Sequence, residues 1–311
     1  MFKFWQDKKV LVTGHTGFKG SWLSICLESL GAEVIGYSLK PYTDEDNFVL
    51  ADLDKRMTSI IGNVCDYNSL SDIINQYKPE FVFHLAAQSL VSESYSGPKE
   101  TYDVNVGGTV NLLESCRHSS SVRVIVVVTS DKCYENKESN IGYKETDRLG
   151  GYDPYSSSKA AAEIVTHAYR RSFFNHSNVS PIQALSSVRA GNVIGGGDWR
   201  PNRLIPDCVM ALRASEPIIV RSPDSIRPWQ HVLEPIHGYM LLAHKMSMDP
   251  KKYSGAWNFG PDKKSKSKVS DVTNRITQLW GDVNWEVSGE QHLHEAILLN
   301  LCSNKSKKIL D

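Results

Sequence analysis

A hydroxyl, a carboxyl and an ammonium group stand side by side in VTSDKCYEN, residues 128–136. Ser130, Asp131 and Lys132 come directly after the most apolar predicted strand of the chain, VRVIVVVTS. Ligands of an open parallel sheet bind beyond the carboxyl ends of its strands. Taken alone, the stretch is more typical of a solvated turn, so its meaning depends on what else the chain places at that edge.

A tyrosine and a lysine four residues apart form a second group that can do chemistry. In YDPYSSSKAA, Asp153 is a predicted N-cap and Pro154 a first helical residue, so Tyr155 and Lys159 share one helix face. An ammonium group beside a phenol lowers the phenol's pKa. Tyr155 can then take a proton from a sugar hydroxyl as hydride leaves the same carbon. With Ser130 as hydroxyl partner, the pair predicts an oxidoreduction site.

Three glycines separate the first predicted strand from the first predicted helix in VTGHTGFKGSW. Gly14, Gly17 and Gly20 allow close approach of the backbone to a pyrophosphate, and the helix N-terminus supplies donors and a positive dipole. The turn therefore predicts dinucleotide binding. The second strand ends in Ser38 and Lys40 instead of an acid. Because Ser38 suits a ribose hydroxyl and Lys40 a 2′-phosphate, these residues leave both NAD and NADP open.

Strands alternate with helices through the first part of the chain and predict an α/β fold, a Rossmann-type doubly wound parallel sheet. After about residue 191 the alternation gives way to loops and short elements, which predict a smaller C-terminal substrate lobe. We expect the dinucleotide-binding domain over 1–190, with 229–246 returning to it. The lobe is then expected over 191–228 and 247–311.

The composition is that of a globular protein without a dominant charge. Of 311 residues, 41% are hydrophobic, and 35 Lys and Arg balance 35 Asp and Glu, so no net charge indicates nucleic acid or a membrane surface. No apolar run approaches the ~20 residues that span a bilayer. The N-terminus lacks a signal-peptide core. The six cysteines show no metal-ligand spacing and predict reduced thiols in the cytoplasm.

The motifs resemble the extended short-chain dehydrogenase/reductase superfamily, and the chain as a whole resembles its CDP-glucose 4,6-dehydratases. The segments that carry the resemblance are TGHTGFKGSWL, FHLAAQ, TSDKCYEN, GGYDPYSSSKAAAE, RAGNVIGGGDW, RLIPD, IRPWQHVLEP and AWNFGP. It implies an NAD-dependent lyase that oxidises CDP-glucose at C4, eliminates water across C5–C6 and returns hydride to C6, in surface polysaccharide synthesis. It also implies a homodimer or higher homo-oligomer formed through helices 99–117 and 154–174, and a lobe truncated at Asp311.

The resemblance assigns roles at the strand end. Related dehydratases carry Thr-Asp-Glu where this chain has Ser130, Asp131 and Lys132. Asp131 is then the general acid at the C6 hydroxyl, a role that requires burial to raise its pKa. Lys132 is the candidate C5 base, as a neutral amine. The alternative is that Lys132 only polarises the keto group or pairs with Asp131.

The resemblance further implies binding residues around these groups. The cofactor set is Gly14, Thr16, Gly17, Phe18, Gly20, Ser38, Asn63, Val64, Leu85, Ala86, Ala87, Asn105, Tyr155 and Lys159. The nucleotide-sugar set is Gln88, Ser89, Asn192, Arg203 and Arg227. A surface salt bridge is the alternative for Arg227, Arg189 is balanced between the two roles, and His84 is expected to be structural.

Other functions compete with this hypothesis. Another nucleotide-sugar dehydratase or a 4-epimerase would use the same hydride chemistry; Asp131 argues against a plain epimerase, and the nucleotide rests on the resemblance alone. A catalytically silent NAD-binding protein is disfavoured because Ser130, Tyr155 and Lys159 are all present. Balanced charge disfavours an RNA-binding relative.

Overall fold

A computed structural model describes residues 2–174, 183–262, 266–281, 283–289 and 298–310. Its strands are β1 Lys9–Thr13, β2 Glu33–Ser38, β3 Thr58–Ile61, β4 Phe81–His84, β5 Val124–Val128, β6 Ala184–Ala190, β7 Val193–Ile194, β8 Ile218–Val220, β9 Ile226–Pro228, β10 Gln230–His231, β11 Gly255–Phe259, β12 Lys266–Lys268 and β13 Trp285–Val287. Its α-helices are α1 Phe18–Ser29, α2 Asn47–Leu50, α3 Leu53–Arg56, α4 Tyr67–Tyr77, α5 Val91–Ser96, α6 Pro98–Tyr102, α7 Gly108–Arg117, α8 Pro154–Ser172, α9 Leu204–Ala214, α10 Leu233–Met248, α11 Pro250–Tyr253, α12 Val269–Trp280 and α13 Asn304–Ile309.

Seven parallel strands form the central sheet, in the order β11-β6-β5-β4-β1-β2-β3. The chain builds β2 and β3 outward from one side of β1 and then crosses to build β4, β5 and β6 on the other side. The order therefore reverses between β1 and β4, and a crevice for ligands opens beyond the carboxyl ends of such strands. The predicted doubly wound Rossmann-type fold is confirmed.

Strand β5 shows why the central strands read as continuous apolar runs. All five of its residues are buried, because helices cover both faces of the sheet. Val124, Val126 and Val128 face a core shared with α1 and α10, whereas Ile125 and Val127 face a second core shared with α4 and α7. The alternation along one strand thus serves two hydrophobic layers.

The last sheet strand lies where the sequence placed the substrate lobe. Strand β11 pairs along its whole length with β6 at the sheet edge, and Trp257 and Phe259 enter the core next to α10. The expected lobe range 247–311 thus includes a strand of the Rossmann sheet. A five-residue apolar segment carries no signal for the sheet that it joins. The small lobe itself packs α9, β8, α12 and β13 around Cys208 and Leu212.

The predicted helix over 99–117 is interrupted. Helices α6 and α7 are separated by a π-helical turn, Asp103–Gly107, which side-chain periodicity does not distinguish from a regular turn. This wider turn directs Asn105 into the protein. In the described part of the chain, no helix combines the length and apolar character needed to cross a membrane. All six cysteines are free thiols.

An aromatic cluster under the sheet gives a stability prediction. Trp5 is fully buried, with its ring centre 5.1 Å from that of Phe81 and 6.1 Å from that of Phe83. We expect Trp5→Ala to lower the free energy of unfolding by about 3–5 kcal/mol, because it removes buried area and leaves a cavity. Urea denaturation measures this. Trp280→Ala is the control, because that side chain is 51% exposed; an equal loss in both variants would contradict the prediction.

Candidate active site

A cavity of about 1240 Å³ lies at the carboxyl ends of the central strands. Both the Rossmann domain and the smaller lobe contribute to its walls. Ser130, Asp131, Lys132, Tyr155 and Lys159 all line it. The predicted cofactor residues also line it except Asn105, and so do the predicted nucleotide-sugar residues except Gln88. The two motifs found separately in the sequence thus meet in one space.

A single turn of 3-10 helix, Asp131–Cys133, holds the strand-end residues. The Ser130 hydroxyl caps that turn, accepting a hydrogen bond from the Lys132 amide at 3.2 Å. The same hydroxyl donates to Asp131 Oδ1 at 3.0 Å. Ser130 and Asp131 are buried, whereas Lys132 is half-buried. The stretch is therefore an ordered wall of the cavity and not a solvated turn.

The Asp131 carboxyl has the protonation behaviour that a general acid requires. Burial raises its pKa above the ordinary value. The Lys132 charge, the Ser130 hydrogen bond, Lys19 and Arg227 oppose this shift without cancelling it. A raised pKa keeps a carboxylic acid protonated closer to neutral pH, as proton donation to a leaving hydroxyl demands.

Helix α8 begins where the sequence predicted. The Asp153 side chain caps it by accepting from the Ser156 amide at 2.9 Å, and Pro154 is the first helical residue. The Ser130 hydroxyl acts on the Tyr155 phenol by lowering its pKa, and Lys159 Nζ lies 6.0 Å from the centre of the Tyr155 ring. The hydroxyl, phenol and ammonium therefore form one group, as the spacing indicated.

The pKa values of Tyr155 and Lys159 differ from what the sequence predicted. Burial raises the pKa of Tyr155 to about 12, and the Ser130 hydrogen bond opposes this only in part. Burial also lowers the pKa of Lys159 to about 8. The predicted lowering of the phenol pKa by Lys159 is thus outweighed in the chain by itself, because desolvation disfavours both charged forms.

The glycine turn presents a helix N-terminus to the cavity. Gly17 is the N-cap of α1 and makes no side-chain cap, so the first amides of the helix have no side-chain acceptor there. Gly14 has a φ of +76°, and a β-carbon on it would lie 2.7 Å from the Ala86 amide nitrogen. This uncapped end suits the diphosphate of a dinucleotide. The Ser38 hydroxyl lies beside it, hydrogen-bonded to Thr16 at 2.9 Å.

Lys19 also lines the cavity, and sequence reasoning missed it. It is the second residue of α1. Burial and the nearby Arg203 charge lower its pKa to about 8, while Asp131 and Asp198 act in the opposite direction. The sequence does contain a signal for Lys19 as a site residue, because a lysine inside a phosphate-binding turn projects from the helix end that faces the ligand. The predicted cofactor set includes Gly17, Phe18 and Gly20 of this turn but not Lys19.

Two predicted contact residues turn away from the cavity. The Gln88 amide donates to the Leu90 carbonyl at 3.0 Å and to the Thr101 hydroxyl at 2.9 Å. Asn105 donates to the Gln88 carbonyl at 3.0 Å and to the Ser158 hydroxyl at 2.8 Å. Instead of facing sugar or cofactor, both amides fasten the loop after β4 to the neighbouring helices. Their hydrogen-bonding capacity is used by two backbone carbonyls and two side-chain hydroxyls of the surrounding segments.

Two of the predicted cationic residues do line the cavity. Arg203 donates to both carboxylate oxygens of Asp198, at 2.8 and 2.9 Å, and to the Ser89 hydroxyl at 2.9 Å. Arg227 is buried on β9, which argues against the surface salt bridge considered for it. Asn192 lies on the same wall. These residues supply the positive charge and donors that a diphosphate requires.

Arg189 is buried below the cavity and pairs with Glu163 of α8. The side chains are only 3% and 2% exposed, and the guanidinium donates to both carboxylate oxygens, at 2.9 and 2.7 Å. Glu163 also accepts from the hydroxyls of Thr129 at 2.5 Å and Ser187 at 2.7 Å. Burial alone would raise the pKa of Glu163, but the Arg189 hydrogen bonds and charge hold it below the ordinary value. Arg189 is therefore a structural residue.

His84 is structural as well. It lies at the end of β4, and its Nδ1 is hydrogen-bonded to the Thr13 hydroxyl at 2.7 Å. Burial lowers the pKa of His84 to about 3, so the imidazole is neutral at physiological pH. It joins two neighbouring strands below the cavity.

The chain is similar to known nucleotide-sugar enzymes along most of its length. The sequence model of the family GDP-mannose 4,6 dehydratase matches residues 11–291. The CDP-glucose 4,6-dehydratase of Salmonella typhimurium is 49% identical over 97% of this chain and 85% of its own. An epimerase from Methanothermobacter thermautotrophicus matches the fold with a TM-score of 0.83 at 22% identity, covering 99% of this chain and 88% of that one. A dTDP-glucose 4,6-dehydratase from Streptomyces venezuelae, solved with NAD bound, matches with a TM-score of 0.78 at 22% identity, covering 97% and 90%.

The doubly wound sheet and the grouping of Ser130, Tyr155 and Lys159 define an extended short-chain dehydrogenase/reductase. The chain belongs, within that class, to the GDP-mannose 4,6-dehydratase family. The comparisons confirm the family resemblance found in the motifs.

The buried ion pair gives a second stability prediction. We expect Arg189→Met and Glu163→Gln each to lower the free energy of unfolding by about 3–5 kcal/mol, because each strands the partner in the interior. The double variant should lose less than the sum of the two, since neither partner then remains. A double-mutant cycle in urea measures this coupling. Arg213→Ala, which breaks an exposed pair with Glu45, should leave stability unchanged; strictly additive losses at 163 and 189 would refute the prediction.

Proposed function

We propose that the chain is an NAD-dependent CDP-glucose 4,6-dehydratase, a lyase that forms CDP-4-keto-6-deoxyglucose and water. One observation carries the reaction type: a carboxyl of raised pKa, Asp131, and an amine, Lys132, share the cavity with the Tyr155 phenol and Lys159. Hydride exchange at C4 needs only the phenol and its partners. The added acid and amine suit elimination from the neighbouring carbons. Similarity to the Salmonella enzyme supports cytidine as the nucleotide.

Oxidation at C4 begins with Tyr155. Its phenol takes the C4 hydroxyl proton, and the Ser130 hydroxyl, which lowers the pKa of that phenol, stabilises the charge that develops. Lys159 carries positive charge below its pKa of about 8 and favours the phenolate from 6.0 Å. Bound NAD would supply the acceptor for the C4 hydride and the donor for its return to C6, and the uncapped N-terminus of α1 would hold its diphosphate.

Elimination across C5–C6 is assigned to the strand-end residues. The new 4-ketone acidifies the C5 hydrogen, and we assign Lys132 as the base that removes it. Asp131 donates its proton to the C6 hydroxyl, which leaves as water. The two side chains adjoin on one 3-10 turn, so both can act on neighbouring carbons of one sugar.

Binding of the two ligands is assigned to opposite walls of the cavity. The uncapped N-terminus of α1 receives the cofactor diphosphate, and Asn63 and Val64 line the adenine end. Arg203 and Arg227 receive the diphosphate of the nucleotide-sugar. Since Arg203 already pairs with Asp198, its charge is partly neutralised until substrate arrives.

A cytoplasmic homo-oligomer in deoxysugar synthesis completes the proposal. Free thiols at all six cysteines fit a reducing compartment. Helix α8 leaves Ile164 59% exposed on its outer face, with Ala168 exposed next to it, which gives a second copy an apolar surface to cover. The proposed oligomer is a dimer or a larger assembly.

The substrate is tested by product mass. We expect incubation with NAD and CDP-glucose to give a product lighter by one water, and no such product from the dTDP-, GDP- or UDP-linked hexoses. Mass spectrometry of each mixture measures this. Water loss from another nucleotide-sugar would keep the reaction and refute the nucleotide, whereas C4 inversion without water loss would indicate an epimerase.

Matched tyrosine variants control that assay. Tyr155→Phe should lower the rate by about 10²–10⁴-fold, because the proton acceptor is lost. Tyr152→Phe removes the same atom from a side chain that is 77% exposed and should retain full activity.

Solvent deuterium separates the roles of Asp131 and Lys132. In D₂O, Asp131→Asn should return CDP-glucose labelled at C5, because oxidation and proton abstraction still occur while the hydroxyl cannot leave. Lys132→Ala should block both labelling and water loss, each by about 10²-fold or more. NMR of recovered substrate and product measures the label. Labelling that persists in Lys132→Ala would leave this residue only a polarising or ion-pairing role.

A further inference from the structure

Gly191, the residue directly after β6, lies against the carboxyl of Asp131. A β-carbon at Gly191 would lie 2.9 Å from Asp131 Oδ2 and 3.3 Å from Pro228 Cγ. The first distance is shorter than such contacts allow, so an alanine here would displace the carboxyl. The second is tighter than an ordinary contact, so the proline ring also limits where a new side chain could fit.

The lack of space for a side chain, and not the backbone conformation, explains why residue 191 is a glycine. Gly191 is not among the described glycines with positive φ, unlike Gly14 and Gly197. Its conformation is therefore open to any residue. Gly196 in the following loop makes the contrast clear, because a β-carbon there would meet no atom within 4 Å.

The space left by the missing side chain of Gly191 helps to position the Asp131 carboxyl. Oδ1 accepts from the Ser130 hydroxyl at 3.0 Å, and Oδ2 lies next to the position that a β-carbon of residue 191 would take. Each oxygen is thus placed by a different strand end, one at β5 and one at β6. A carboxyl held on both sides has one orientation toward the cavity, and proton transfer depends steeply on that orientation.

We propose that Gly191 is a positioning residue for water loss, since its missing side chain leaves the space in which Asp131 faces the C6 hydroxyl. The inference rests on the proposed dehydratase function. The proposed role distinguishes the two halves of the reaction, C4 oxidation and elimination of water. The three atoms nearest to a β-carbon at Gly191 belong to Asp131 and Pro228, and none belongs to Tyr155 or Lys159. C4 oxidation therefore does not need the space at Gly191, whereas elimination does.

Gly191→Ala tests the proposal, with Gly196→Ala as the matched control. Single-turnover absorbance at 340 nm follows the reduced cofactor, and product mass follows water loss. We expect Gly191→Ala to slow water loss by about 10–100-fold, the effect of misplacing a catalytic group by about 1 Å, so that reduced cofactor accumulates. Oxidation and the melting temperature should match those of Gly196→Ala, because only the end of a side chain has to move.

Epistasis with Asp131 provides the second readout. If Gly191 acts through the carboxyl, Gly191→Ala in an Asp131→Asn background slows water loss no further. Should Gly191→Ala alone fail to fold, the double variant with Asp131→Ala, which lacks the clashing oxygen, should fold again. Full activity of Gly191→Ala, equal losses in both half-reactions, or additivity with Asp131→Asn would overturn the inference. Failure of the proposed function would appear separately, as absence of turnover of CDP-glucose by the unaltered chain.

Discussion

The arrangement of the site depends on one buried ion pair, Arg189–Glu163, beneath the cavity floor. Glu163 lies one turn after Lys159 on α8. It accepts a hydrogen bond from the hydroxyl of Thr129, the residue directly before Ser130. The pair therefore joins the helix that carries the phenol and ammonium to the strand end that carries the hydroxyl and acid. Charges this deeply buried are tolerated only when fully hydrogen-bonded, and both carboxylate oxygens have several donors. Such a pair fixes relative position more than it adds stability.

Above that floor, desolvation acts in the same sense on four ionisable groups that line the cavity. Burial favours the neutral form of Asp131, Tyr155, Lys159 and Lys19 alike. The chain alone therefore shifts its acid toward the protonated form, as water loss needs, but it also keeps its phenol protonated, although oxidation needs the phenol ionised. Charges brought by the ligands are thus part of the chemistry. Ligand binding and the protonation of the site are linked, because each shifts the free energy of the other.

Sequence patterns predicted the features that follow from local chemistry. The glycine turn, the start of α8 at Asp153–Pro154 and the apolar run of β5 are properties of a few adjacent residues, and the structure has all of them. The placements that differ are set by distant partners. The Gln88 side chain turns inward because it hydrogen-bonds to the Thr101 hydroxyl. Arg189 is buried because it forms an ion pair with the buried carboxylate of Glu163. No pattern in one segment contains such pairings.

The position of β11 has a consequence for synthesis of the chain. Strand β6 ends at residue 190, but its outer partner spans 255–259, so the whole of β7, β8, β9 and α9 emerges from the ribosome between them. During that interval one edge of β6 has unpaired amides and carbonyls, a template for pairing with other chains. Pairings so far apart in sequence also form slowly. The nascent protein is consequently most exposed to misassembly while the first elements of its substrate lobe, α9 and β8, are being made, before the last strand of the sheet is synthesised.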